Sequence, residues 1–178
     1  QIIDQANIPL VFLNNITGYM VGTEYERAGM IKHGAKMIQA ASNIRVPKLS
    51  YYVGASYGAG NYGMSGLGYE PDFLFSWPGA MTGVMSGESA SGTMEAVALA
   101  GAKRGGVEPD LEALAKQKAA IEKIFGGQED AFFTSGRLLD NGIIDPRDTR
   151  QVIGFTLETI WERKHRDLQP NAFGIGRM

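Results

Sequence analysis

The sequence predicts a single α/β domain built on a largely parallel sheet, and three observations carry that expectation. Continuous apolar runs of strand length alternate with stretches of helical periodicity. Glycine- and proline-containing turns separate them. The 178 residues, 44% of them hydrophobic, suffice for one real core but not for two full ones.

Taken in order, Ile8 to Asn15 has the apolar centre of a strand covered on both faces. A glycine-punctuated loop, Thr17 to Gly22, leads to a helix from about Tyr25 to Ser42. Its buried stripe is expected at Ala28, Ile31, Ala35, Ile38 and Ser42. Pro47 stops that helix, and a second strand, Lys48 to Val53, enters another helix through the small residues of Gly54 to Met64. Two short strands, Asp72 to Ser76 and Ala80 to Met85, are joined by the turn Trp77-Pro78-Gly79, which is expected to keep them adjacent. Helices follow from Gly87 to about Lys103, from Pro109 to Phe125, and from about Thr149 to His165. The middle one carries Leu111, Leu114, Lys118, Ile121 and Phe125 on one face, and Glu112 precedes Lys116 by four residues. That stripe must dock on the body or on a partner. The tail after Leu168 lacks periodicity, and no internal domain boundary stands out.

Composition narrows the function. Seventeen Lys and Arg against 19 Asp and Glu leave no basic footprint for nucleic acid or an anionic membrane. The longest uncharged run, Leu49 to Tyr69, contains six glycines and does not read as a membrane span. The absence of Cys excludes a disulfide scaffold, thiolate metal sites and Cys nucleophiles, and agrees with a reducing compartment. The chain opens on Gln1 without a leader pattern and reaches a strand within ten residues, so it is expected to lie inside a longer polypeptide. Its 24 glycines cluster rather than repeat, as around a site.

The most informative cluster is Val53 to Met64. A chain that leaves a strand through Gly and Ala into a helix leaves the first helical amides unpaired. Two such donors, preset at a developing negative charge, supply roughly 3 to 4 kcal/mol each to an enolate-forming or acyl-transfer step. Gly58, Ala59 and Gly60 are small enough to let a substrate approach that backbone. Close helix–strand packing explains the same glycines equally well. A literal Gly-x-Ser-x-Gly, Gly54 to Gly58, with Asp145 and His165 downstream in order, raises a serine hydrolase using Ser56 as a rival. Too few strands precede it for that fold. With two histidines and no paired carboxylate spacing, a metal site is not expected. His33 and His165 read as helix-surface residues and Glu88 as a helix-start carboxylate. Tyr19, Tyr57, Tyr62 and Trp77 stand in or beside glycine turns, where each can wall a flat ligand or fill the core.

Six segments occur together in one order: Asn15 to Gly22, Lys32 to Lys36, Ser56 to Met64, Trp77-Pro78, Val84 to Glu88 and Gly142 to Arg150. On these the chain resembles the C-terminal part of the carboxyltransferase β subunit of biotin-dependent acyl-CoA carboxylases, the methylcrotonyl-, geranyl- and propionyl-CoA group. The resemblance implies a crotonase-like (ClpP/crotonase) fold and a carboxyltransferase half-reaction. The whole chain, 1–178, would be one C-terminal domain that receives carboxybiotin, with a separate N-terminal domain binding most of the coenzyme A. A backbone amide pair that holds the biotin ureido oxygen maps by motif onto Ala59 and Gly60. Gly18, Tyr19, Tyr57, Gly58 and Tyr62 match binding positions, Tyr62 at the one that helps set acyl size. In the implied reaction CO₂ leaves carboxybiotin, the freed biotin nitrogen takes the proton from the acyl-CoA carbon, and the enolate attacks CO₂. No charged side chain is then required as base.

Asn61-Tyr62 resembles the methylcrotonyl and geranyl type more than the propionyl type, whereas Met81 to Gly83, Ser86 to Gly92 and Lys103 to Gly106 depart from the expected pattern. The implied partners are a biotin carboxylase and biotin carrier subunit, the acyl-CoA and further copies of the β subunit, in a bacterial cytoplasm or a mitochondrial matrix. The 178 residues alone are not expected to turn over. A biotin-dependent decarboxylase subunit running the half-reaction in reverse and a non-catalytic assembly module remain as alternatives.

Overall fold

A computed structural model describes residues 1–170. The aperiodic tail therefore lies, from residue 171 onward, outside the described residues.

One short turn, α1 (Ile2–Gln5), precedes the first strand, β1 (Leu10–Ile16). The helix expected next is broken in two, α2 (Thr23–Arg27) and α3 (Met30–Asn43), because Gly29 takes a left-handed φ of 91° between them. The second strand, β2 (Lys48–Tyr57), runs straight into α4 (Gly58–Gly63). Two short strands, β3 (Phe73–Ser76) and β4 (Met81–Gly83), precede a helical hairpin of α5 (Gly87–Gly105) and α6 (Leu111–Gly126). The last helices among the described residues are α7 (Ala131–Gly136) and α8 (Thr149–His165).

Among the described residues the ladders between strands are parallel: β1 pairs with β2 from Leu10↔Lys48, and both β3 and β4 pair with the far side of β2. β3 and β4 are not adjacent partners, contrary to the expectation from the turn between them. They stand in line, β3 against Leu49 to Tyr52 and β4 against Ala55 to Tyr57. The Trp77 turn, closed by the Ala80 amide on the Trp77 carbonyl, steps the chain along one edge instead of reversing it.

β2 is the spine, and its alternation explains its unbroken hydrophobicity. Leu49 and Tyr51 are fully buried against Ile160 of α8, while Tyr52 packs with Leu74, Ala80 and Ala131 on the other face. Burying each such large side chain contributes about 1.5–3 kcal/mol. Past Asn14 the register slips, and Ile16 pairs with Ser56. In this bulge the Asn15 carboxamide replaces a ladder bond, accepting from the Ala55 amide at 3.2 Å. Gly54 makes the room, because a Cβ there would stand 2.4 Å from Asn15 Oδ1.

The stripe that α3 buries differs from the expected one. Gly34 and Ala41 are buried, whereas Ile31 is 69% exposed and Ala28, Ala35 and Ser42 face outward. Periodicity fixed the spacing, but close approach to the Tyr19 ring chose the phase with the smaller residues. The α6 stripe docks through its middle: Leu114, Lys118 and Ile121 are half-buried, and Leu111 stays 69% exposed. Across the hairpin Lys118 Nζ meets Glu95 at 3.0 Å and Ser91 Oγ donates to Glu122 at 2.8 Å.

Helix ends follow their chemistry. Ser86 and Asp110 accept from the amides of Ser89 and Ala113 at the starts of α5 and α6, and left-handed Gly106 closes α5. Glu88 lies in the first turn of α5, as a dipole-complementing carboxylate should. The Glu112–Lys116 pair forms at 2.7 Å.

Candidate functional site

β2 ends at Tyr57 in an extended conformation, and Gly58 then turns the chain with a left-handed φ of 56°. A side chain here would be strained by its own backbone and would also stand 3.1 Å from the Val84 carbonyl. The six-residue α4 starts at once, without a side-chain cap from Tyr57. Among the described residues no hydrogen bond from outside α4 reaches the amides of Ala59 or Gly60. Ala59 is exposed and Gly60 is buried, its missing Cβ place lying 2.8 Å from Ile16 Cδ1 and 3.3 Å from Gly18 Cα. The two explanations of these glycines therefore divide: Gly58 is required by conformation and Gly60 by close packing.

The turn opens on a cavity of about 500 Å³ lined by Gly58, Ala59, Tyr62, Leu67, Val84 and Leu139 among others. It lies at the carboxyl end of β2, where parallel sheets place ligands. A larger cavity, about 770 Å³, is lined by Pro9, Pro47, Trp161 and His165. It sits at the opposite, amino-terminal ends of the strands, away from the Gly58 turn, so we regard the smaller one as the site.

The expected residues do not all converge there. Gly58, Ala59 and half-exposed Tyr62 line the cavity, and Tyr62 meets Tyr69 edge-on at 5.6 Å. Gly60 and Gly18 form the close contact beside it. Tyr19 lies across α3, its hydroxyl donating to the Gly34 carbonyl at 3.2 Å, and burial raises its pKa above the ordinary phenol value. Tyr57, expected as a candidate wall, is buried; its hydroxyl donates to Glu129 Oε2 at 2.8 Å. Burial first, and the Glu129 carboxylate second, hold that phenol neutral well above its usual range. Sequence reasoning missed Leu67, Gln128, Thr134 and Leu139, which line the cavity together with Tyr52, Asn61, Thr82, Gly83 and Val84. Thr134 belongs to α7, too short to show a period, and Leu139 follows Leu138, a non-glycine residue at φ 60°.

The hydrolase constellation is not assembled. Ser56 is fully buried within β2, and its Oγ accepts from Asn61 Nδ2 at 2.9 Å. Asp145 binds Arg147, which holds its carboxyl below the usual range, and His165 stacks on Trp161. Among the described residues no group of three or more His, Cys, Asp or Glu is placed to hold a metal ion, and no helix is long and apolar enough to cross a membrane.

Comparison with known proteins bears directly on this geometry. The carboxyl transferase domain family matches residues 1–174. A probable biotin-dependent acyl-coenzyme A carboxylase beta2 subunit of Mycobacterium tuberculosis is 50% identical over 178 residues, 100% of this chain and 33% of its own length. A probable mitochondrial methylcrotonoyl-CoA carboxylase beta chain of Drosophila melanogaster is 43% identical over 100% of this chain and 30% of its own. Among solved structures, the geranyl-CoA carboxylase beta subunit of P. aeruginosa superposes with a TM-score of 0.86 at 43% identity, covering 99% of this chain and 33% of that one. The transcarboxylase 12S hexamer, with hydrolysed methylmalonyl-coenzyme A bound, gives 0.72 at 30% identity over 97% of this chain and 31% of that one. The chain thus spans about a third of the length of the relatives it matches.

Proposed function

This chain belongs to the carboxyl transferase domain family and has its crotonase-like fold, and from that premise we propose that it provides the biotin-facing half of an acyl-CoA carboxyltransferase site. The observation that carries the proposal is the uncapped turn from β2 into α4, which opens on a cavity of about 500 Å³ at the carboxyl end of the sheet. That volume falls within the range of small-molecule sites, about 300–1,000 Å³, and suits a bicyclic ring beside an acyl chain.

Carboxybiotin, borne on a partner carrier domain, would supply the carboxyl group and afterwards the base that takes the acyl-CoA proton. The chain's own part is to place and polarise. The amides of Ala59, at the cavity wall, and of Gly60, next to it, would hold the ureido oxygen, where negative charge gathers as the carboxyl departs. Donors fixed beforehand stabilise that charge without reorganising. Tyr62 and Leu139 would bound the space left for the acyl chain, Gly18 with Ile16 buttresses Gly60, and Tyr19 packs farther back against Gly34 and Gly63. The low-polarity walls Leu67 and Val84 limit water around the enolate.

Asn61-Tyr62, together with methylcrotonoyl- and geranyl-CoA carboxylases among the relatives, favours a branched, 3-methylcrotonyl-like acyl group. Coenzyme A would be held mainly by a separate N-terminal carboxyltransferase domain, and the assembly would combine several β subunits with a biotin carboxylase and carrier subunit. Both bacterial and mitochondrial relatives exist, which favours the bacterial cytoplasm or the mitochondrial matrix. The test is carboxyl transfer from carboxybiotin to acyl-CoAs ranging from acetyl to geranyl, by the protein in its assembly with the biotin-bearing partner. Carboxylation of a branched or longer substrate supports the reading. No transfer to any of them, by folded and assembled protein, removes it.

A further inference from the structure

We propose that Asn61 is the positioning residue of this site: its carboxamide fastens the start of α4 to β2 and so fixes the direction of the Ala59 and Gly60 amides. The inference rests on the reading of that turn as the oxyanion-binding pair.

Asn61 Nδ2 carries two hydrogens, and both are engaged, one by Tyr52 Oη and one by Ser56 Oγ, each at 2.9 Å. Both acceptors belong to β2 and are buried, Tyr52 3% and Ser56 0% exposed. The strand that ends at the turn and the helix that begins there are therefore joined one residue beyond the amide pair. The same two residues reach the other walls of the cavity. Tyr52 Oη also accepts from the Leu67 amide at 3.4 Å, and the Ser56 carbonyl accepts from Thr82 Oγ1 of β4 at 2.8 Å.

The fold reserves space for this carboxamide. A Cβ on Gly66 would stand 1.8 Å from Asn61 Oδ1, and the Gly66 amide donates to the Asn61 carbonyl at 2.8 Å. The Gly-x-Ser-x-Gly serine thus acquires a role without nucleophilic chemistry, as an anchor for Asn61. Electrostatic stabilisation depends on donor placement, and a displacement of about 1 Å can cost about 10²-fold in rate.

The experiment uses the assembled enzyme with Asn61→Leu, Ser56→Ala, Tyr52→Phe and the double variant N61L/S56A. The expected result for N61L is a kcat lowered about 10- to 100-fold with KM for acyl-CoA within about twofold. S56A and Y52F should each lower kcat by a smaller factor, and N61L/S56A should fall no further than N61L, since both changes break one connection. A merely structural role predicts instead multiplicative losses, or reduced yield of active enzyme with kcat per active site unchanged. If N61L does not fold, S56A and Y52F decide: full kcat in both overturns the proposal. An active wild type with undiminished N61L overturns it alone, whereas an inactive wild type overturns the carboxyltransferase reading and this inference with it.

Discussion

The ring of Tyr19 occupies the place a side chain on Gly34 would need: a Cβ there would stand 2.1 Å from Tyr19 Cε2, and the Tyr19 hydroxyl donates to the Gly34 carbonyl. One residue thereby ties the Gly18–Gly22 loop to α3. The hydroxyl also lies 3.0 Å from the corresponding position on Gly63, at the end of α4. The loop, α3 and the end of α4 share this single ring.

Gly34→Ala should therefore be costly despite its chemical modesty. Displacing the ring and its hydrogen bond is expected to destabilise by about 1–3 kcal/mol, the usual range for overpacking. Tyr19→Phe, which keeps the ring, should cost only about 1 kcal/mol. Urea unfolding of both variants checks the order, and equal costs would mean that ring placement is not what Gly34 protects.

At the turn itself, Gly58→Ala meets two penalties, the left-handed φ of 56° and the Val84 carbonyl 3.1 Å away. The expected loss is about 1–2 kcal/mol of stability for the left-handed conformation, with a fall in activity as Val84 moves. Unchanged stability and activity would show that the turn relaxes freely.

Tyr57 predicts an alkaline signature. Its folded pKa is raised by burial and by Glu129, so the folded state holds the proton more tightly than the unfolded chain. The associated stability is complete below the ordinary phenol value of about 10 and is lost as pH rises beyond it toward the raised folded value. Tyr57→Phe removes this term and should flatten the decline of stability measured above pH of about 10. Tyr19, Tyr51 and Tyr52 are also raised by burial, so a residual slope persists.

Ser56, buried in β2 and bonded by Asn61, should not react with a fluorophosphonate probe while the protein is folded. Stoichiometric labelling at Ser56, located by mass spectrometry, would restore the hydrolase reading.

Several elements were legible because local signals and tertiary packing agree in them. β1 and the start of β2 are continuous apolar runs, α6 carries a helical period, and Pro47 separates the end of α3 from the start of β2. The amide turn was readable because Gly58 to Gly60 satisfy both conformation and packing. What escaped was set across space. The buried phase of α3 depends on Tyr19, a residue outside the helix. The in-line placement of β3 and β4 depends on the length of β2, extended by the bulge at Gly54. Leu139 and Thr134 reach the cavity from α7 and the chain after it, which Asp130 starts beside the first residue of β4, accepting from the Phe132 and Phe133 amides. Tyr57 was ambiguous in sequence because an aromatic beside a glycine turn serves wall and core equally; its partner Glu129 is 72 residues away.

The central claim is that the Ala59–Gly60 amides act in carboxyl transfer, and the most direct measurement compares wild type with Ala59→Val in the assembled enzyme. Ala59 is exposed at the cavity, so the added methyl groups crowd the amides without entering the core. Transfer from carboxybiotin to 3-methylcrotonyl-CoA should fall by about 10²-fold or more, the effect of losing one oxyanion donor, with thermal stability nearly unchanged. A Val variant that transfers carboxyl at the wild-type rate would contradict the assignment of the site.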